Sequence, residues 1–170
     1  MLTSIEAIST PDGSVTLGTN LGGLFQVAAA ESFAVLGTIY RGPVAGLQRE
    51  LLGSAANEVV GGTTSNDFLN LLGGTDAANG GGGNDVIDGG LGSNFLTGGA
   101  GRDVFFSDGR GGGITWSTIT DFEPGEQLSL FGWQPGLSRR IMVESDGAEG
   151  FKGATMHADL NADGLIDTSV

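Results

Sequence analysis

Several residue types and patterns are missing from this 170-residue chain. It has no cysteine, which excludes disulfides, thiolate nucleophiles and cysteine-ligated zinc or iron–sulfur sites. No segment approaches the roughly 18 consecutive apolar residues of a membrane-spanning helix, so no membrane span is expected. The N-terminus also lacks a basic stretch followed by an apolar run, so a classical signal peptide is not expected and export would need another route.

Positive charge is scarce as well. Seven basic residues stand against 20 acidic ones, which gives a formal net charge of -13. Such a surface repels phosphate, so nucleic acid is not an expected partner, whereas cations are. Glycine is abundant, with 33 residues, and 39% of the chain is hydrophobic, which is more than simple disorder has. The length suits one domain or one repeat array with caps.

Residues 1–52 predict an N-terminal cap of hairpins and short helices. Within residues 1–26, short β-like runs such as "SVTL" and "GLFQV" alternate with turn residues, which predicts one or two hairpins. Residues 27–40 are alanine-rich, with Phe33, Leu36 and Tyr40 at helical spacing, and predict a short helix. The stretch "AGLQRELL" at 45–52 predicts a second one.

Residues 53–106 repeat with a period of nine and without an insertion. The six units are GSAANEVVG, GTTSNDFLN, LLGGTDAAN, GGGGNDVID, GGLGSNFLT and GGAGRDVFF. Position six of the units is polar, and its residues are Glu58, Asp67, Asp76, Asp85, Asn94 and Asp103. Position eight is apolar, and its residues are Val60, Leu69, Ala78, Ile87, Leu96 and Phe105.

Glycine at fixed positions predicts a turn of the same shape in every unit, because glycine adopts a positive φ without strain. The residues around position eight then form a short strand whose apolar side chain points inward. One unit alone cannot bury that side chain, so the units are expected to stack as parallel strands of a solenoid.

The position-six acids determine the chemistry of such a stack. Equivalent residues of adjacent coils would lie about 4.7 Å apart, and stacked carboxylates would repel each other by about 1 kcal/mol in water and by more when partly buried. No lysine or arginine recurs in the units, so a metal ion is the remaining counter-charge. Carboxylates and loop carbonyls favour hard cations, and calcium tolerates irregular oxygen cages better than magnesium does.

The repeats carry a family resemblance. "GGGGNDVID" and "GGAGRDVFF" fit the nonapeptide G-G-x-G-x-D-x-U-x, "GGLGSNFLT" has asparagine in place of aspartate, and the first three units lack some of the glycines. The chain thus resembles the RTX (repeats-in-toxin, hemolysin-type) calcium-binding proteins. The stretch "ITDFEPGEQLSLFGW" is similar to the segment that follows the repeats in secreted members of that family.

The resemblance implies a parallel β-roll in which two units complete one coil and the loops alternate between two edges. The first edge would present Asp67, Asp85 and Asp103, and the second edge Glu58, Asp76 and Asn94. The first edge is expected to hold Ca²⁺ more tightly, between Asp67 and Asp85 and between Asp85 and Asp103, and the sites on the second edge are expected to be weak or empty. Carbonyls of the loop glycines would complete the calcium shells, and the residues expected to supply them are Gly81, Gly83, Gly99 and Gly101. Asp121 is a further expected ligand at the C-terminal end of the roll.

Residues 107–170 predict capping strands and a second acidic cluster. "DLNADGLID" places Asp159, Asn161, Asp163 and Asp167 at positions one, three, five and nine of an EF-hand-like loop, with Gly164 at position six. The twelfth position is Val170, so the bidentate acid of an EF-hand is missing. The alternatives are a calcium loop and a solvated turn, and the pattern favours calcium.

No catalytic motif stands out. The single histidine, His157, has no serine or acid at an obvious triad spacing, so the chain is predicted not to be an enzyme. The sequence therefore predicts an all-β, secreted, calcium-binding protein that folds on Ca²⁺ binding outside the cell, with a structural, adhesive or self-assembling role. The type I secretion route, which the family uses, is expected. The alternative is the secretion and folding module of a larger type I secreted toxin or hydrolase.

Overall fold

The computed structural model describes residues 6–9, 15–18, 37–146 and 153–170. These residues contain strands, bends and turns, and no helix. The sixteen strands are β1 (Glu6–Ser9), β2 (Val15–Gly18), β3 (Thr38–Ile39), β4 (Arg49–Leu52), β5 (Val59–Gly61), β6 (Asp67–Asn70), β7 (Gly73–Gly74), β8 (Ala77–Gly82), β9 (Val86–Gly92), β10 (Asn94–Ala100), β11 (Val104–Asp108), β12 (Thr115–Ile119), β13 (Gln127–Phe131), β14 (Arg139–Asp146), β15 (Gly153–Asp159) and β16 (Thr168–Ser169). The predicted all-β class is confirmed for this part of the chain.

Alternate repeat units pair in parallel at a spacing of 18 residues. In one sheet Leu69 lies opposite Ile87 and Ile87 opposite Phe105, and in the other sheet Ala78 lies opposite Leu96. The same spacing of 18 separates hydrogen-bonded residues of adjacent loops. Two nine-residue units thus complete one coil, in agreement with the β-roll that the resemblance implies.

The strands form two long sheets and one separate pair. The first sheet has the order β3-β4-β6-β9-β11-β13, and β7 also pairs with β9. The second sheet has the order β5-β8-β10-β12-β16-β15-β14. Pairing is parallel along the repeats and antiparallel at β3–β4 and along β16-β15-β14. The chain therefore adds antiparallel strands where the coils end.

The position-eight side chains form the core between the two sheets. Every one of them is buried, with at most 5% of its surface exposed, and Leu69, Ile87 and Phe105 are completely buried. Leu51 and Leu71 belong to the same cluster. The inward direction of position eight, predicted from the repeat, is confirmed.

The nonapeptide phase resumes beyond Phe106 after an insertion. Ser117 lies opposite Asn94 and Leu128 opposite Phe105, at a spacing of 23 rather than 18 residues. The five additional residues are 107–111, after which units 112–120 and 121–129 take their places in the coil. Their position-eight residues, Ile119 and Leu128, pack against the core. The six units read from the sequence end at Phe106, so these two units were not predicted.

The predicted helix at 45–52 is wrong. Residues 45–48 form a turn and irregular backbone, and β4 pairs in parallel with β6, with Leu51 opposite Leu69. Leu51 is 4% exposed, so burial in the stacked core outweighs the helical propensity of the isolated segment. Of the helix predicted at 27–40, residues 27–36 lie outside the described residues, and Thr38–Ile39 form strand β3.

Strands β1 and β2 pair antiparallel, which confirms a hairpin within residues 1–26. The second β-like run there, "GLFQV", lies outside the described residues. Across the parts of the chain that the structure describes, no helix is long and apolar enough to cross a membrane.

Candidate metal centre

The position-six side chains of the first edge lie above one another where the strands of the first sheet begin. Asp67, Asp85 and Asp103 are at most 1% exposed. One oxygen of Asp85 accepts a hydrogen bond from the Asp67 N–H at 2.8 Å, and one oxygen of Asp103 accepts from the Asp85 N–H at 2.8 Å. Asp85 and Asp103 are therefore held against the backbone of the preceding coil, whereas Asp67 accepts a hydrogen bond from the Thr63 N–H of its own loop at 2.6 Å.

The second edge repeats this ladder with different side chains. Asp76 accepts a hydrogen bond from the Glu58 N–H at 2.8 Å, and the Asn94 side-chain oxygen accepts from the Asp76 N–H at 2.9 Å. Asp76 and Asn94 are buried. Glu58 differs, because its longer carboxylate turns back to its own loop and accepts from the backbone N–H and the hydroxyl of Ser54, both at 2.7 Å.

Four of these carboxylates each leave one buried oxygen without a hydrogen-bond partner. They are Asp67, Asp76, Asp85 and Asp103. An unsatisfied buried charged group costs more than the roughly 1–3 kcal/mol of a neutral one. The one ion pair among the described residues joins Arg110 to Asp108 at 2.6 Å and involves none of the four. The unpaired oxygens thus lack a positive partner from the described protein groups.

Burial and repulsion by neighbouring acids disfavour the charged forms of Asp85 and Asp76. Burial raises the pKa of Asp85 to about 7, the hydrogen bond from the Asp67 N–H opposes the rise, and the negative charges of Asp103 and Asp67 add to it. Burial is also the main cause that raises the pKa of Asp76, with a smaller contribution from Glu58. The edges are therefore sites where a cation would stabilise ionised carboxylates.

The loop glycines allow the coils to stack closely. Gly81, Gly83, Gly99 and Gly101 all have φ between 94° and 146°. A Cβ on Gly99 would overlap the Gly81 carbonyl oxygen, and one on Gly101 would overlap that of Gly83. Only glycine fits both the conformation and the space, and the carbonyls of one loop face the next loop.

Asp121 lies at the C-terminal end of the first edge. Its two carboxylate oxygens accept hydrogen bonds from the N–H groups of Gly98 and Gly99 at 2.9 and 2.8 Å. The structure thus brings Asp121 to the last glycine-rich loop, where it binds backbone donors.

Comparison with known proteins agrees with this geometry. A family model of four copies of the RTX calcium-binding nonapeptide repeat matches residues 52–87 and 79–109. Residues 52–109 are RTX calcium-binding repeats. No curated protein and no solved structure matches the chain.

The donors of the RTX repeats fit calcium. Each candidate site offers carboxylate oxygens that lack a partner, and loops in which glycine brings carbonyl oxygens close to the next coil. Within the described residues, no three or more histidine, cysteine, aspartate or glutamate side chains form a group that could hold a metal ion. A calcium ion at these edges would therefore need backbone carbonyls in addition to the carboxylates.

Glu126 is a position-six residue that was not predicted from the sequence. Gln127 lies opposite Val104, which puts Glu126 next to Asp103 in the stack of the first edge. Burial is the main cause that raises the pKa of Glu126, and the charges of Asp103 and Asp121 raise it further. The signal was present in the sequence, since Glu126 follows Ser117 by nine residues, but the insertion at 107–111 concealed the phase.

The EF-hand-like loop is closed by its own hydrogen bonds. Asp159 accepts from the N–H groups of Ala162 at 2.7 Å and Gly164 at 3.0 Å, and Asp167 accepts from the Leu160 N–H at 2.7 Å. Gly164 has a φ of 89°. Asn161 and Asp163 each accept from the N–H two residues ahead, at 2.9 and 2.8 Å, as in Asx turns. Asp159, Asp163 and Asp167 are not brought together as a group of three.

Proposed function

We propose that this protein is a secreted, non-catalytic calcium-binding protein whose β-roll folds when Ca²⁺ binds outside the cell, where it has a structural or adhesive role. The observation that carries the proposal is the set of four buried carboxylate oxygens without a partner, one each on Asp67, Asp76, Asp85 and Asp103. They recur at the same position of repeats whose family binds calcium.

Calcium would supply the free energy that the repeats lack. Ordering glycine-rich chain costs more backbone entropy than ordering other residues, and the unpaired buried carboxylates add an electrostatic cost. An ion bound between two coils offsets that repulsion and joins the coils. Since the site exists only when adjacent coils are stacked, its binding free energy becomes folding free energy.

On the first edge, we assign ions between Asp67 and Asp85 and between Asp85 and Asp103, with carbonyls of Gly81, Gly83, Gly99 and Gly101 as further ligands. A third ion on this edge would use Asp103 with Glu126, whose carboxyl groups lie next to each other, beside Asp121. Asp76 supplies the site of the second edge. The EF-hand-like loop is a lesser candidate, because hydrogen bonds to the backbone already engage Asp159 and Asp167.

The test is a calcium titration of chelated protein, followed by circular dichroism and by isothermal titration calorimetry. We expect the β-sheet signal to rise with Ca²⁺, to reverse with chelator and to respond far less to Mg²⁺. A β-rich spectrum that is the same in chelator and in millimolar Ca²⁺, with no heat of binding, would overturn the proposal.

Self-assembly is a second candidate role, supported by open sheet edges. Among the described strands, β5 and β13 each pair with one neighbour, and both are parallel strands at an end of their sheet. Unpaired strand edges can add a strand of another chain. Sedimentation velocity with and without Ca²⁺ tests it, and a calcium-loaded monomer at high protein concentration would contradict it.

A further inference from the structure

Asn94 differs from the buried aspartates at position six in one respect. Its side chain is completely buried, yet neither of its polar atoms lacks a partner. The oxygen accepts from the Asp76 N–H at 2.9 Å, and the amide nitrogen donates to the Gly89 carbonyl at 2.8 Å. Loop 89–94 is thus closed by a hydrogen bond from its last residue to its first.

The amide nitrogen takes the place of the unpaired carboxylate oxygen. In units 80–88 and 98–106, that oxygen lies against the first glycine, where a Cβ on Gly80 or Gly98 would overlap it. In unit 89–97, a Cβ on Gly89 would lie 3.1 Å from the Asn94 amide nitrogen. Position six therefore directs its second polar atom toward the same part of its own loop in all three units.

The second polar atom is a hydrogen-bond donor in Asn94, whereas it is an acceptor in the aspartates. A carboxylate oxygen and a carbonyl oxygen are both acceptors, so they need a cation or a donor between them. An amide NH₂ is a donor and binds the carbonyl directly. The orientation of the Asn94 amide follows from its neighbours, because only one orientation satisfies both the Asp76 N–H donor and the Gly89 carbonyl acceptor.

We propose that Asn94 is a built-in substitute for a calcium ion, whose amide closes loop 89–94 without metal. This inference rests on the proposed function, that the RTX repeats bind Ca²⁺. It deepens that function by assigning the calcium of the second edge to Asp76 and none to Asn94. Loop 89–94 can then close before any calcium ion binds.

Two reciprocal substitutions on the second edge test the proposal. Native mass spectrometry at saturating Ca²⁺ should count one more ion in Asn94→Asp than in the wild-type chain, and one fewer in Asp76→Asn. Asn94→Ala is the matched control, because it removes the amide without adding a carboxylate and should bind no additional ion. In the calcium-loaded wild-type protein, the side-chain NH₂ protons of Asn94 should exchange slowly with solvent by NMR.

The outcomes separate this inference from the proposed function. A wild-type chain that takes up no calcium overturns the proposed function itself. A wild-type chain that binds calcium, together with an Asn94→Asp variant that binds the same number of ions, overturns the role of Asn94 alone. If Asn94→Asp does not fold in calcium, the other two measurements decide: an unchanged ion count in Asp76→Asn, or fast exchange of the Asn94 NH₂ protons, contradicts the proposal.

Discussion

At the scale of the residue, the position-six side chains differ in whether their second polar atom has a hydrogen-bond partner. One side-chain oxygen accepts a hydrogen bond from a backbone N–H of the preceding coil in Asp76, Asp85, Asn94 and Asp103. The second atom is an unpaired oxygen in Asp76, Asp85 and Asp103 and a paired nitrogen in Asn94. In the proposed function, this change of one atom separates a loop that needs a cation from one that does not.

Asp85→Asn is expected to lose calcium from the first edge, because Asp85 contributes to both proposed sites between the aspartates of that edge. We expect the variant to bind at least one ion fewer than the wild-type chain at saturating Ca²⁺, counted by native mass spectrometry. Asp88→Asn is the matched control and should keep the wild-type count. It removes the same charge from the same unit, but its carboxylate accepts from the Gly90 N–H and is not at position six. Equal ion counts for Asp85→Asn and the wild-type chain would contradict the assignment.

Gly99→Ala is expected to destabilise the calcium-loaded fold. The residue has a φ of 94°, and an added Cβ would overlap the Gly81 carbonyl oxygen. The strain of the backbone alone amounts to about 1–2 kcal/mol, and the overlap adds to it. Gly113→Ala is the control, since nothing lies within 4 Å of its Cβ position. Urea unfolding at saturating Ca²⁺ measures both, and a loss of stability no larger at Gly99 than at Gly113 would speak against the close stacking.

At the scale of the element, the apolar residue at position eight determines where a strand joins the coils. Strand β4 shows this most clearly, because its sequence favours a helix and its Leu51 nevertheless occupies the core position opposite Leu69. Strands β12 and β13 show it as well, since Ile119 and Leu128 return to the core after the five-residue insertion. Membership of the roll therefore follows from the apolar residue at position eight more than from the glycines of the loop.

A pair of neighbouring substitutions tests the assignment of β4. Leu51 is 4% exposed and Leu52 is 59% exposed on the same strand. Leu51→Ala should reduce the free energy of unfolding by about 2–5 kcal/mol, as for other buried leucines. Leu52→Ala should cost less than about 1 kcal/mol. Similar losses for the two variants, measured by urea unfolding in Ca²⁺, would contradict a strand at 49–52.

At the scale of the whole molecule, two buried acids link the stability of the fold to the pH. The raised pKa values of Asp85 and Asp76 mean that the calcium-free fold binds protons that the unfolded chain releases. The stability contributed by protonated Asp85 is fully present below the pKa of the unfolded chain and is lost as the pH rises through about 7. In the proposed function, calcium takes the place of those protons at higher pH.

The calcium-free protein should therefore gain structure as the pH falls. Protonation of Asp85 and Asp76 stabilises the calcium-free fold, so we expect the β-sheet circular dichroism signal in chelator to be larger at pH 5.5 than at pH 7.5. Asp85→Asn should show a smaller change with pH, because its amide does not titrate. A signal in chelator that is the same from pH 5.5 to 7.5 in the wild-type chain would contradict the raised pKa of Asp85.

Part of the fold and of the candidate site could be predicted because the repeat imposes it locally. The period of nine located the turns, the inward residues and the position-six acids, and the resemblance separated the acids into the two edges on which the structure places them. The metal role of Asp67, Asp76, Asp85 and Asp103 stays a prediction. For Asn94, the proposal that its amide closes the loop without metal replaces the predicted metal role. Glu126 was missed because the insertion at 107–111 interrupts the phase.

By itself, the sequence determined the all-β class, the inward position eight and the spacing of the acids, because these depend on a regular pattern that each unit carries. Only the tertiary structure decided that β4, β12 and β13 join the coils, that four aspartates keep an unpaired oxygen and that Asn94 does not. Those features depend on contacts between residues 18 or 23 positions apart, and such contacts form only when the coils are stacked.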